Sequence, residues 1–515
     1  MKRWMNFSTP AYVSPEGSLS GGVSPIYGYH PPYNVVIEPI SKTRPISDIL
    51  GYFELKTYLM GPFPGELFSQ IILTTKPHTT FATFNKSNRR DFYDAGNLST
   101  LLPEQLSGRI NVINVINPKG DIKKSDIAHH EIRGGDIVLL RTDISKNHRQ
   151  LYPTKSYYTD HPGLSFEAAE YLAGKNIKAV GIDARNIEPI DPANRGTISV
   201  VQLLNDAGIV VVQDLADLSV ISEKQTWAII GIPLKIEGVI GGPARVIAIN
   251  PENPLDYSDL SHKIKTYPSN RYDRKHGWMA PLPKRIEPRD MQNELQASCR
   301  ILPFILQGED TRTPDGTSQE MYIWQSHGTN THAESAFFDP LGVHNTPEEI
   351  LCRYKEMPLD RLIGPACLLD LNDKIGPRQQ IDVHTLEESG VQIQKGDILF
   401  IRTEINDWYM WGNAMDITPG FTLSAAKWLV SKGIRAIAVD FTSVERSNPP
   451  SGIPKMHYTA NDVHYTLHNN DIPVIERVAR LGLIRKERFS VAVLPFPGHN
   501  LGGFPVDIFA WEDWD

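Results

Sequence analysis

An internal duplication constrains this chain more than any local pattern does. The run Gly135-Asp136-Ile137-Val138-Leu139-Leu140-Arg141-Thr142-Asp143 returns as Gly396-Asp397-Ile398-Leu399-Phe400-Ile401-Arg402-Thr403-Glu404, at an offset of 261 residues. Pro162-Gly163-Leu164-Ser165, with Ala168-Ala169, Tyr171-Leu172 and Ala179-Val180-Gly181-Ile182-Asp183 behind it, returns at an offset of 257. Its second copy is Pro419-Gly420-Phe421-Thr422, Ala425-Ala426, Trp428-Leu429 and Ala436-Ile437-Ala438-Val439-Asp440. Gly241-Gly242-Pro243-Ala244-Arg245 answers Gly503-Phe504-Pro505-Val506-Asp507 at an offset of 262. Blocks that recur in one order at a near-constant offset describe a single domain present twice. The length of 515 residues also exceeds what one core usually supports. The expected organisation is an irregular Pro-, Gly- and Ser-rich arm over 1–34, a first repeat over 35–264, a polar basic linker over 265–290 and a second repeat over 291–515.

Each repeat has the same grammar. An apolar run (Ile137 to Arg141; Ile398 to Arg402) precedes a helix opening at Ser165 or Thr422, and a second apolar run follows (Ala179 to Asp183; Ala436 to Asp440). Ser and Thr are good helix N-caps, and the residues behind them are helix formers. Strands this apolar need covering on both faces, so the fold class is α/β, a sheet packed under helices. Hydrophobic residues at 40% and charged residues at 22% belong to an ordinary globular chain. A net charge of −8 argues against general affinity for nucleic acid or an anionic membrane. No run approaches the roughly 18 apolar residues of a membrane span. Asn6, Ser8, Thr9 and Pro10 stand where a secretory segment would be apolar. Cys299, Cys352 and Cys367 form no Cys-x-x-Cys pair, which removes a disulfide framework or cysteine zinc site and makes a reducing cytoplasm the expected home. Walker, dinucleotide and Gly-x-Ser-x-Gly signatures are missing as well.

The residues that carry chemistry gather in the second repeat. In an extended segment His332 and Glu334 share a face and could grip one cation. His327, five residues earlier, turns to the opposite face unless a bulge adds a residue. Downstream, His464 and His468 lie one helical turn apart, and Ile472-Pro473-Val474-Ile475-Glu476 is a short apolar strand that ends in a carboxylate. An unpaired carboxylate there is costly, and a cation would resolve it. Imidazole and carboxylate together suit zinc or manganese. His468 reads as a capping or solvent-facing residue, with substrate contact as the alternative. Glu445 reads as structural, with pocket lining as its alternative, and Trp408 as either a pocket wall or core. His129-His130-Glu131 lacks spaced partners and reads as loop surface.

Taken together, the Pro-Gly-Leu-Ser helix, the Gly-x-Asp strand behind it, the His464/Glu476 spacing and the Gly-x-Pro-x-Arg of the first repeat resemble the cyclase family. That family includes kynurenine formamidases, isatin hydrolases and trans-dienelactone hydrolases. Its signature is His-x-Gly-Thr-His-x-Asp-x-Pro-x-His, followed much later by a His and a Glu twelve residues apart. Thr331 and His332 match the Thr-His, Glu334 stands for the Asp, and His464 with Glu476 match the distal pair. With His332 as anchor, the first His falls on Gly328, the Gly on Asn330 and the Pro on Ala336. The final His, the family's catalytic acid or base, falls on Phe338. In the first repeat the same signature aligns near Pro77 to Phe84, with Phe81 and Thr83 at the ligand positions and Val201 and Gln213 as the distal pair.

The resemblance implies a swivelling β/β/α fold, here in tandem and able to pair as an intramolecular pseudo-dimer, with a homodimer of such chains also open. It implies one divalent ion, zinc or manganese, held by His332, Glu334, His464 and Glu476 in the second repeat and none in the first. It implies a small-molecule substrate; with Phe338 in place of the shuttle His, the proton would move through His327, Glu334 or water, and Phe338, Trp408, Glu445 and His468 are the candidates for substrate contact. The implied activity is hydrolysis of an amide or lactone in a small cyclic or formylated metabolite. Non-hydrolytic ring closure or dehydration at the same site, and a ligand-binding pseudoenzyme, are the alternatives.

Overall fold

The computed structural model describes residues 2–6, 12–13, 19–20, 55–59, 67–74, 80–82, 101–116, 118, 120–148, 160–233, 241–261, 266–268, 299–302, 321–325, 331–334, 357–405, 418–445, 462–497 and 503–513. Contacts divide the chain into two units. One is Thr74–Ile264 with Pro303–Met321; the other is Met1–Leu73 with Lys265–Leu302 and Tyr322–Asp515.

The chain begins with strand β1 (Lys2–Asn6). The first repeat then supplies β2 (Thr80–Ala82), β3 (Ser107–Asn114), β4 (Ile137–Arg141), β5 (Ala179–Ile182), β6 (Val210–Gln213), β7 (Trp227–Gly231), β8 (Gly241–Pro243), β9 (Arg245–Asn250) and β10 (Asn253–Asp259). They form one sheet in the order β8-β2-β6-β5-β4-β3-β7-β9-β10. The second repeat supplies β11 (His332–Glu334), β12 (Ile363–Asp370), β13 (Ile398–Arg402), β14 (Ala436–Val439), β15 (Val474–Glu476), β16 (Arg488–Pro495) and β17 (Gly503–Asp513). Their order is β1-β17-β11-β15-β14-β13-β12-β16, and a further β16–β17 pairing closes the sheet on itself.

The two sheets are the same design. In both, the central strands run parallel (β3-β4-β5-β6 and β12-β13-β14-β15). In both, a short strand then joins antiparallel, β2 on β6 and β11 on β15. The long strand β17 pairs with β11 at its start and with β16 beyond, whereas the first repeat interrupts this strand at Ala244 and makes β8 and β9 of it. The outermost place, held by β10 against β9 in the first repeat, is taken in the second by β1, which pairs Trp4 with Trp511 and Met5 with Ala510. Lys2–Asn6 is therefore an ordered edge strand and not part of an irregular arm.

The central strands are largely buried, β5, β6 and β14 along their whole length, which is what cover on both faces requires. One face of each sheet carries the longer helices of its repeat: α1 (Phe166–Ala173) and α2 (Val200–Asp206) in the first, α3 (Leu423–Lys432) and α4 (Asp462–His468) in the second. Ala168, Leu172, Val201 and Leu204 pack there on Val138, Leu140 and Val180, and Ala425, Leu429, Val463 and Leu467 on Leu399, Ile401 and Val439. Ser165 and Thr422 cap α1 and α3 by accepting the amides of Ala168 and Ala425, as their places in the sequence suggest. The glycine of the repeated Pro-Gly is a close approach, since a Cβ on Gly163 would collide with the carbonyl oxygen of Glu188. That contact seats the loop after β5, and the matching loop after β14 borders the candidate site.

Candidate metal centre

β11 lies between β15 and β17, and its register sets His332 directly opposite Glu476, with Glu334 opposite Val474. Residues two apart on a strand share a face, and directly opposed residues on neighbouring strands are adjacent. His332, Glu334 and Glu476 therefore converge, each offering a ligand atom within 4.8 Å of the others. His332 Nε2 lies 3.2 Å from Glu334 Oε1 and 3.6 Å from Glu476 Oε2. From α4, His464 Nε2 comes within 3.2 Å of Glu334 Oε2 and 3.4 Å of Glu476 Oε1. The helix delivers it because Val463 and Leu467 take the core-facing stripe, which leaves the neighbouring stripe, His464 and His468, turned to the site. All four cluster residues are at most 4% exposed.

Such a cluster asks for a cation. His464 Nδ1 faces Glu445 Oε1 at 3.2 Å while Nε2 faces two carboxylates. A ring that donates from Nδ1 presents a lone pair at Nε2, and a lone pair against two buried carboxylates is unfavourable unless a proton or a metal ion stands between them. Burial alone would depress the His464 imidazolium, but its bonds to Glu334, Glu445 and Glu476 together hold it well above the ordinary histidine value. Two imidazoles and two carboxylates are also a donor set that fits a divalent ion. The described residues thus fit a metal site.

Other expected site residues fall into place differently. His468 is buried rather than solvent-facing, with its ring centroid 5.6 Å from that of His464. Burial and then the neighbouring His464 push it down to about 3, so it is neutral at ordinary pH. Glu445 directs its carboxylate at α4: Oε1 accepts the amides of Val463 at 2.8 Å and His464 at 2.9 Å. His327, Phe338 and Trp408 lie outside the described residues. One contributor, Arg477, has no obvious sequence signal. Arg477, at φ 58°, turns the chain straight after Glu476, and its carbonyl accepts the Thr331 hydroxyl at 2.7 Å. The Thr of the Thr-His pair thereby fastens the end of β15 beside the start of β11.

In the first repeat the register corrects the sequence alignment by one residue. β2 sets Thr80 opposite Gln213 and Pro243, just as β11 sets His332 opposite Glu476 and Pro505. Thr80 and Ala82, not Phe81 and Thr83, stand where His332 and Glu334 stand. A slip of one residue exchanges the two faces of a strand, and sequence similarity here is too thin to resolve it. Neither residue type is a usual metal ligand.

The site lies where a closed, mixed sheet brings a short antiparallel strand and one helix together around buried His and Glu side chains. The family model described as "Putative cyclase" matches residues 78–189 and 258–446, one region in each half and more than half of the chain. The chain belongs to the cyclase family. No curated protein matches it. Solved structures to which the chain is similar include isatin hydrolase A from Labrenzia aggregata, 16% identical over 41% of this chain and 82% of that one, TM-score 0.33. Another is a predicted metal-dependent hydrolase from Bacillus stearothermophilus, 20% identical over 38% of this chain and 83% of that one, TM-score 0.27. Among the described residues no helix is long and apolar enough to cross a membrane.

Proposed function

We propose that the second repeat is a metal-dependent hydrolase centre that opens an amide or lactone bond in a small cyclic or formylated metabolite. The observation that supports it is the meeting of His332, Glu334, His464 and Glu476, brought from two strands and a helix into one buried cluster, on a chain of the cyclase family. These four residues would hold one ion, zinc or manganese, which when bound would polarise a carbonyl and lower the pKa of water towards roughly 7. Glu334, whose two oxygens face His332 and His464, and His327 are the groups assigned to move the proton, because Phe338 occupies the place of the family's usual carrier. His468, kept neutral by burial, offers the substrate an uncharged wall; Phe338 and Trp408 are assigned to substrate contact from the sequence alone.

Metal analysis of the purified chain tests the reading. About one equivalent of zinc or manganese per chain is expected, lost in His332→Ala; wild-type protein with no enrichment sinks the proposal. Turnover in ¹⁸O-labelled water separates hydrolysis from ring closure, since hydrolysis alone places solvent oxygen in the product.

A further inference from the structure

We infer that Glu445 is a positioning residue for the metal centre, fixing the ring of His464 so that Nε2 is the atom offered to the ion. The inference rests on the metal reading above. Three donors converge on one oxygen: Glu445 Oε1 accepts the amides of Val463 and His464 at 2.8 and 2.9 Å and stands 3.2 Å from His464 Nδ1. With the backbone of α4 and the ring held by the same atom, the imidazole can neither flip nor swing. The carboxylate behind Nδ1 also makes Nε2 a better electron donor, and the nitrogen committed to it is removed from the set of ligand atoms.

The loop that carries Glu445 is fixed in turn. The amide of Phe421 donates to the carbonyl of Val444 at 2.9 Å, and the amide of Val444 donates to Glu476 Oε1 at 2.8 Å. Glu445 is thus tied through one residue to the ligand opposite His332. The first repeat separates the two duties of this carboxylate. Glu188 occupies the same place and accepts the first amides of α2, Val200 at 3.0 Å and Val201 at 2.8 Å. Val201 stands where His464 stands, so anchoring the helix is common to both repeats, while contact with an imidazole occurs only beside the metal cluster.

Two readouts on the full chain test this: the thermal midpoint of the metal-free protein and its zinc or manganese affinity by equilibrium dialysis. In Glu445→Gln the amide oxygen still accepts the backbone donors, so the midpoint stays near wild type, whereas affinity falls about 10-fold with the loss of charge behind Nδ1. In Glu445→Ala the midpoint drops and affinity falls on the order of 100-fold. Glu188→Ala lowers the midpoint and leaves affinity at the wild-type value. Wild-type affinity in Glu445→Ala, or an equal loss in Glu188→Ala, overturns the inference. Wild-type protein that takes up no metal overturns the metal reading itself, and is recognised before any variant is measured.

Discussion

The loop after β5 in the first repeat and the loop after β14 in the second are held by the same bonds. Gln213 Oε1 accepts the amide of Ile187 at 3.1 Å, and Glu476 Oε1 accepts that of Val444 at 2.8 Å. Asp183 takes the amide and hydroxyl of Thr142 and the amide of Asp143, and Asp440 does the same for Thr403 and Glu404. The left-handed residues also coincide, Asp143 with Glu404 and Asp214 with Arg477. What differs is the part of each side chain turned to the cluster. Gln213 keeps the oxygen that supports the loop and replaces the other oxygen of Glu476 by an amide nitrogen. Glu476, a proposed ligand, thus has a structural duty as well, and the first repeat has kept that structural duty in Gln213.

The largest effect is expected from making the second repeat like the first. Glu476→Gln keeps the bond to Val444, as Gln213 keeps its bond to Ile187, so the urea midpoint of the apo chain changes little. Metal affinity by calorimetric titration falls at least about 100-fold, beyond what second-sphere changes usually cost. Unchanged affinity would remove Glu476 from the ligands and break the comparison.

The reverse exchange, Gln213→Glu, installs a buried carboxylate opposite Thr80 with no cationic partner from the ligand positions. It should gain no second equivalent of metal and destabilise the chain by about 3 kcal/mol in urea unfolding. Uptake of a second equivalent would show that the first repeat retains more of a site than its residue types suggest.

Asp183 tests the shared scaffold. Burial raises its carboxyl to about 6, against the bonds from Thr142 and Asp143 that favour the anion. A carboxyl bound more tightly to its proton in the folded state stabilises fully below its unfolded value of 3.8 and loses that contribution as pH rises through about 6. The wild type should therefore lose on the order of 2 kcal/mol of stability between pH 4 and 7 relative to Asp183→Asn, read from urea midpoints across that range. Equal pH profiles for the two proteins would show that the carboxyl is not perturbed.

The smallest effect concerns the edge that the repeats fill differently. Trp4 stacks on Trp511 at 4.8 Å, and Arg3 pairs with Glu512 at 2.8 Å. Trp4→Ala should cost roughly 1–2 kcal/mol, with hydrogen exchange rising at β16 and β17 and unchanged at β7 and β9. Exchange rising in both repeats would contradict an edge role confined to the second.

Much of this was legible from the chain alone, for local reasons. The apolar runs of β4, β5, β13 and β14 announce buried strands, Ser165 and Thr422 sit at the helix starts they cap, and duplication doubles each signal. His332, Glu334, His464 and Glu476 are recognisable by residue type and spacing. Other features were not legible. Glu445 reads as an ordinary loop carboxylate until the fold sets it under α4, and His468 reads as exposed until the site side of α4 proves buried.

The sequence by itself determined that one domain occurs twice, that its central strands are buried, and that the second copy carries the His and Glu residues proposed to hold a metal. Tertiary structure decided which of them meet. His332 faces Glu476 across a strand pair 144 residues apart in sequence, Thr80 rather than Phe81 occupies the corresponding place, and Lys2–Asn6 completes a sheet whose other strands begin beyond residue 330. Register and edge placement are set by hydrogen bonds between distant segments. Because neighbouring strand residues point to opposite faces, local composition does not record which face meets which partner.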